Sequence, residues 1–246
     1  MKKTLQVVGS LNIGGAETLL LNFARAIPRA RAEELAFLVF GDSIGAYEEE
    51  LLSLGCSIYR IRRPFPIAPW VFDHDFANLC RMTGGFGAVH SHINFASGVV
   101  LTAARRQNVP IRIAHAHTES SLDTSFLRSI YHALSRKVIL RNNTQLFACS
   151  DQSGRYLFGE EWDTSGVLIH NAVDVSRFQG VHGRRNVLRA QLGLSAETLA
   201  IGVFSRVVDV KNLGFLLAVL EQDHATPPMH LLGWHWAGTG FTAKAG

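Results

Sequence analysis

The feature that most constrains this chain is an alternation. Short apolar runs, each followed by a longer stretch with helical spacing, recur along most of its length. "LQVVGS" precedes Ala16–Ala26, "LAFLVFG" precedes Tyr47–Leu54 and "SIYRI" precedes Phe72–Arg81. "FGAVHSH" then precedes Phe95–Gln107, "IRIAHAH" precedes Phe126–Arg141, and "QLFACS" precedes Asp151–Phe158, before "GVLIHNAV" closes the series. The runs are apolar at consecutive positions rather than alternate ones, as strands must be when helices cover both faces of a sheet. The pattern predicts a doubly wound, parallel α/β domain.

A change of composition follows "HNAVDVSRF", where "QGVHGRRN" is polar and glycine-containing, as a linker would be. The alternation then restarts with "LAIGVFSR", a helix over Asn212–Gln222 and a short strand "MHLLG". The expected division is a first domain over 1–178, a linker with a helix over 179–198, and an incomplete second α/β domain over 199–246. The closing "WHWAGTGFTAKAG" has neither period nor caps and reads as a truncated or frame-shifted end. The expectation is a C-terminal portion of low stability.

Composition narrows the function classes. Hydrophobic residues make up 47% of the 246, enough for a buried core. The formal charge is only +4, and the positives are scattered, so charge gives no reason to expect nucleic-acid binding. Cys56, Cys80 and Cys149 lie far apart in apolar segments, without metal-ligand spacing, and fit buried thiols in a reducing cytoplasm. "MKKTLQVVGSL" is too short in its apolar part, carries Gln6 and runs into Asn12 and two glycines, so it reads as a first strand rather than a leader. Membrane contact is expected to be peripheral, because no apolar run reaches the ~18 residues of a spanning helix.

In open α/β sheets ligands sit beyond the C-terminal ends of the strands, so the strand-end residues carry the chemistry. After the first run comes "GSLNIGGAET". Gly9, Gly14 and Gly15 allow a tight turn and close approach of a ligand, and the helix that follows offers unpaired N–H groups to an anion. The loop matches neither the P-loop, which needs Lys where Gly15 stands, nor the dinucleotide fingerprint. Glu17 suits the first turn of the helix but would also be placed to face the cleft.

Two H-x-H pairs, His90/His92 and His115/His117, end equivalent strands and place four imidazoles on one rim. They fit hydrogen-bonded scaffolding, a catalytic group, or a zinc site of a metal-dependent hydrolase, although no partner carboxylate or lysine at other strand ends completes a metal set. Arg206 and Lys211, flanking a predicted helix start, fit either a diphosphate clamp or solvated surface charge. Arg128, Arg136, Lys137 and Arg141 are interleaved with apolar residues over 126–141, a pattern that suits either packing on the sheet or an anionic membrane surface.

As a set, "GGAETLLLNFARA", "VHSH", "AHAHTES", "ACSDQSGRYLFG", "VLIHNAVDVSRF" and "IGVFSRVVDVKN" resemble the GT-B-fold, family 4 retaining glycosyltransferases of bacterial exopolysaccharide, capsule and lipopolysaccharide synthesis. The resemblance implies two Rossmann-like domains facing a cleft. It implies a nucleotide-diphosphate sugar as donor and a glycan or lipid-linked molecule as acceptor, with neither cofactor nor metal. By the same resemblance His117, before Thr118, matches the active-site histidine, and Arg206 and Lys211 match the donor-diphosphate cations. Gly14 and Gly15 form the loop facing donor phosphates or acceptor. His92, Thr118 and Ser150 join the substrate-binding set, and Asn171 begins the segment leading to the second domain. Two glutamates that hold the donor sugar in the family, and a helix that returns to its first domain, have no counterpart here. The resemblance therefore fits a glycosyltransferase fragment, cytoplasmic or peripheral on the inner membrane face, or a non-catalytic acceptor-binding or membrane-associated remnant.

Overall fold

A computed structural model of the chain describes residues 2–64, 68–119, 125–179, 181–204, 211–222 and 229–234. The chain divides into two compact units, Met1–Val173 and Asp174–Gly246.

The first unit is built on seven parallel strands: β1 (Thr4–Val7), β2 (Leu35–Phe40), β3 (Ser57–Ile61), β4 (Ala88–Ser91), β5 (Ile111–Ala116), β6 (Gln145–Ala148) and β7 (Gly166–Leu168). Their order is β3-β2-β1-β4-β5-β6-β7. The expected doubly wound α/β class is thus the observed one. Successive strands run outward from β1 to one edge and then, from β4, to the other, so the topological switch falls between β1 and β4. That is where a crevice opens in such sheets.

Helices α1 (Gly15–Ala26) and α3 (Glu48–Ser53) cover one face, with Leu20, Leu21, Ala24 and Leu51 packed on Leu35, Phe37 and Val39 of β2. Helices α4 (Pro69–Thr83), α5 (Ser97–Arg106), α6 (Phe126–Asn142) and α7 (Asp151–Phe158) cover the other. There Phe72, Phe76, Val100, Leu101, Ile139 and Leu157 meet Leu5, Val7, Val89, Ala114, Ala116 and Leu146. Each fully buried large side chain contributes about 1.5–3 kcal/mol of hydrophobic stabilisation. This two-sided burial is the reason the strands lack polar alternation.

Boundaries depart from the sequence pattern where local backbone chemistry intervenes. Helix α4 begins three residues before Phe72 because Pro69 at its first turn has no N–H to leave unpaired, and it stops at Gly84, which takes φ 77°. Helix α5 begins at Ser97 rather than Phe95, since a 3-10 turn over Asn94–Ala96 intervenes with Asn94 at φ 49°. Two helices, α2 (Arg29–Ala32) and α8 (Glu161–Ser165), are too short to show a period and escaped the sequence reading. Strand β7 takes only the first three residues of "GVLIHNAV".

In the second unit, 3-10 turns at Val175–Phe178 and Val181–Arg184 lead into α9 (Arg185–Gln191), the helix expected in the linker. Strand β8 (Leu199–Phe204) pairs in parallel with β9 (Met229–Trp234), and α10 (Leu213–Gln222) lies between them in sequence. The unit begins at Asp174, a few residues before the expected boundary at 178. The side chain of Asp174 accepts from Ser176 N and so starts the first 3-10 turn.

Cys56 and Cys80 are buried, Cys149 is half-buried, and all three are free thiols. No described helix is long and apolar enough to cross a membrane.

Candidate active site at the switch point

The crevice is assembled from the loops that leave β1, β4, β5 and β6. Register places Gln6 of β1 beside His90 of β4, on the same face as Phe37. Just past the end of β4, the His92 N–H donates to the Val7 carbonyl (2.9 Å), extending the ladder and fixing the ring above the switch point.

All four histidines of the H-x-H pairs come together. His90 Nε2 lies 3.1 Å from His115 Nδ1, and His92 Nδ1 lies 2.8 Å from His117 Nε2. Within each pair the rings are 4.2 Å (His90/His92) and 4.1 Å (His115/His117) apart. A third partner was not anticipated: Gln6 Oε1 is 2.8 Å from His92 Nε2. Burial is the main reason their basicity falls. It pushes His90 down to about 3, His115 to about 2 and His117 to about 4, and holds His92 well below the ordinary imidazole value; neighbouring imidazoles push His90, His92 and His115 further the same way. Four neutral imidazoles therefore share the rim at pH 7.

His90, His92 and His115 each offer a ring nitrogen within 4.8 Å of the others, so they form a potential metal triad. Both nitrogens of His92 are already hydrogen-bonded, to Gln6 and to His117, and coordination would require breaking one of those bonds. The arrangement suits a hydrogen-bonded array better than the hydrolase site weighed from the sequence.

Around His117 the strand-end loops are tied to one another. Asn94 Nδ2 donates to Thr118 Oγ1 (3.2 Å), and the Ser150 hydroxyl donates to Glu119 (2.9 Å). Ser150 also caps α7, accepting from Ser153 N while the Ser153 hydroxyl accepts from Ser150 N, a reciprocal capping box. Ser150 is thus a structural anchor for the loop that carries His117 and Thr118. Gly14 caps α1 in extended conformation, and its carbonyl accepts from Thr18 N (2.8 Å). A Cβ at Gly14 would overlap the Glu17 carboxylate, which leans back over the helix N-terminus. Gly15 has open space where a Cβ would be.

Of the remaining expected site residues, Arg206 lies outside the described residues. Lys211 is exposed, two residues before α10 in the second unit. Sequence reasoning missed Gln6, Asn94 and Glu119. The signal for Gln6 was present, an amide inside an otherwise apolar strand, although its partner 86 residues away was not visible. A wider groove of about 860 Å³ lies along the β2–β3 edge, lined by Gly41, Asp42, Arg60, Arg62 and Asp75 among others, and none of the four histidines lines it.

A parallel sheet with its crevice at the switch point, a glycine turn entering α1 and histidines ending β4 and β5 defines a doubly wound, Rossmann-like α/β class. The model of Glycosyltransferase Family 4 matches residues 13–177, and the chain belongs to that family. It is 33% identical over 219 residues to EpsF of Bacillus subtilis (strain 168), named as a glycosyltransferase, covering 88% of this chain and 57% of that protein. It is 24% identical over 226 residues to the capsular polysaccharide biosynthesis glycosyltransferase CapH of Staphylococcus aureus, covering 90% and 58%. The crystal structure of Anabaena HepE in complex with UDP-glucose superposes with a TM-score of 0.74 at 18% identity, over 95% of this chain and 60% of that one. The chain therefore spans less than two thirds of the length of these relatives.

Proposed function

We propose that the chain carries the acceptor-side domain, and part of the donor-side domain, of a glycosyltransferase of polysaccharide biosynthesis. On this reading it moves a sugar from a nucleotide-diphosphate donor to a glycan or lipid-linked acceptor, with retention of configuration. The observation that carries the reading is the array of neutral histidines ending in His117 at the switch point, in a chain of this family. The crystallised HepE complex with UDP-glucose supports a uridine diphosphate sugar as donor.

The roles follow from chemistry. The departing nucleoside diphosphate develops negative charge, which the cations Arg206 and Lys211 would offset, with the Gly14/Gly15 turn left to the acceptor. His117, uncharged at pH 7, would accept a hydroxyl hydrogen bond at the reacting sugar without adding charge of its own, with Thr118 and His92 holding its loop and ring. The scheme uses no cofactor and no metal.

A membrane-facing role for α6, on the cytoplasmic side, is favoured by a separate observation. Phe126 and Leu127 are each 78% exposed and Leu134 59%, whereas Ile139 is fully buried and Tyr131 and His132 pack on Phe95, so the first turn of the helix leaves its apolar side chains in the open. The exposed face adjoins an apolar groove of about 360 Å³ between α4, α5 and α6, lined by Phe95, Val99, Tyr131, Leu134 and Val138. Helices α5 and α6 carry Arg105, Arg106, Arg128, Arg136, Lys137 and Arg141 and no carboxylate of their own. Arg106 pairs with Asp73 of α4 and Arg136 donates to the carbonyls of Leu157 and Tyr156, and the excess of positive charge on the two helices complements an anionic surface.

The test of the transferase reading is His117→Ala in a protein spanning the full length of the relatives, assayed with labelled UDP-sugars. We expect turnover to fall about 10²–10⁴-fold with the fold intact. An unchanged rate in a folded variant removes His117 from the mechanism.

A further inference from the structure

We infer that Gln6, in the middle of β1, is a positioning residue that fixes which ring nitrogen of His117 carries the proton, acting through His92. Gln6 is 4% exposed in a strand whose other inward residues, Leu5 and Val7, are apolar. A buried amide is costly unless hydrogen-bonded, so its one recorded contact matters. That contact is Oε1 to His92 Nε2 at 2.8 Å. An amide oxygen only accepts, so Nε2 of His92 must carry the hydrogen.

The rest follows from proton counting. A neutral imidazole has a single N–H, which leaves His92 Nδ1 as an acceptor. Nδ1 is 2.8 Å from His117 Nε2, so His117 must donate there. His117, also neutral, then presents a bare lone pair at Nδ1. Two hydrogen bonds thus carry a directional instruction from the sheet interior to the half-buried ring at the end of β5. The opposite tautomer would present an N–H at that edge and repel a hydroxyl proton instead of accepting it.

The neighbouring pair shows what the anchor adds. His90 and His115 are 3.1 Å apart at their ring nitrogens, but the other nitrogen of His115, Nε2, is buried without a partner among the described residues. No fixed acceptor sets the direction of that bond. Gln6 supplies one for the His92–His117 pair. That the tautomer affects turnover rests on the placement of His117 at the reaction centre proposed above, whereas the tautomer itself does not.

The experiment is long-range ¹H–¹⁵N correlation on the full chain labelled at histidine nitrogens, at pH 8.5, where all four rings are neutral. Nδ1 and Nε2 protonation give distinct shift patterns. In the wild type we expect the Nε2–H form at both His92 and His117. Gln6→Met keeps the side-chain length but removes the acceptor, and should convert His117 to a mixture of forms while the His90 and His115 signals stay put. Gln6→Glu, as the carboxylate that pH 8.5 favours, accepts without donating, and should keep the wild-type pattern. An Nδ1–H form at His117 in the wild type, an unaltered His117 in folded Gln6→Met, or a switched His117 in Gln6→Glu would each overturn the inference. If Gln6→Met does not fold, the wild-type and Gln6→Glu spectra decide alone. In an active, full-length protein Gln6→Met should lower kcat on the order of tenfold with little change in KM, and Gln6→Glu should restore it. A tautomer that shifts without any change in rate would leave the inference standing and count against His117 at the reaction centre.

Discussion

Acid should unfold the first unit in a window set by its histidines. His90, His115 and His117 hold protons in the native state only below about 3, 2 and 4, and His92 is depressed as well. In the unfolded chain each has an ordinary pKa of about 6.5. Between those values the unfolded state binds more protons, so unfolding free energy rises with pH. Stability is therefore fully present above about pH 6.5 and drains as pH falls toward 4. Each ring contributes about 1.4 kcal/mol per pH unit, and the four together roughly 5–6 at the steepest. Against a total of about 5–15 kcal/mol for a domain, that exhausts the margin within one to three pH units. Asp75 does not blur the window: bridged by both oxygens to Arg62, it is held at about 2 and its contribution is lost only below about pH 4. Urea unfolding followed by circular dichroism at half-unit steps from pH 7.5 to 5 measures the slope directly. His115→Phe, placed beside Phe147 in the array, should flatten that slope by about a quarter whatever it does to stability at pH 7.5. An unfolding free energy that stays level from pH 7.5 to 5.5, or a His115→Phe slope equal to that of the wild type, would refute the reasoning.

Two other expectations can be checked quickly. A Cβ at Gly154 would lie less than 3.0 Å from three atoms of the Trp162 indole, which Gly166 confines on another side and whose Nε1 donates to Asp151 (3.0 Å). Gly154→Ala should thus cost about 1–3 kcal/mol by overpacking, with a melting temperature lower by about 2–4 °C per kcal/mol, and combination with Trp162→Leu should cost less than the two changes summed; a shift under about 0.5 kcal/mol would mean the indole moves freely. Flotation with vesicles should recover the chain with anionic but not neutral lipid, with recovery falling as salt is raised; Phe126→Ser/Leu127→Ser should abolish it, and equal recovery on both lipids, or none on either, would leave α6 as ordinary packing.

The parts of the fold legible in the sequence were those written in local pattern. Consecutive apolar positions in "LAFLVF" announced a strand buried on both faces, and the H-x-H pairs fell at the ends of β4 and β5, where the four rings meet. What escaped depends on which strands become neighbours. Gln6 reaches His92 only because β4 lies next to β1, and no local period encodes that order. The resemblance places Ser150 in the substrate-binding set; that its hydroxyl also caps α7 and holds Glu119 appears only once the loops are folded together. Helices α2 and α8, of four and five residues, hold barely one turn each and carry no periodic signal.

Among the described residues strand β7 pairs only with β6, and Val167, Leu168 and Ile169 are 47%, 39% and 37% exposed. A flank of this kind is where one molecule can recruit another by strand addition, and its brevity is the safeguard: three residues offer too few free backbone groups to template a partner. Lengthening β7 by substituting strand-favouring residues for His170 and Asn171 would remove that safeguard. The expected cost is solubility rather than stability, with molecules joining rim to rim while each stays folded.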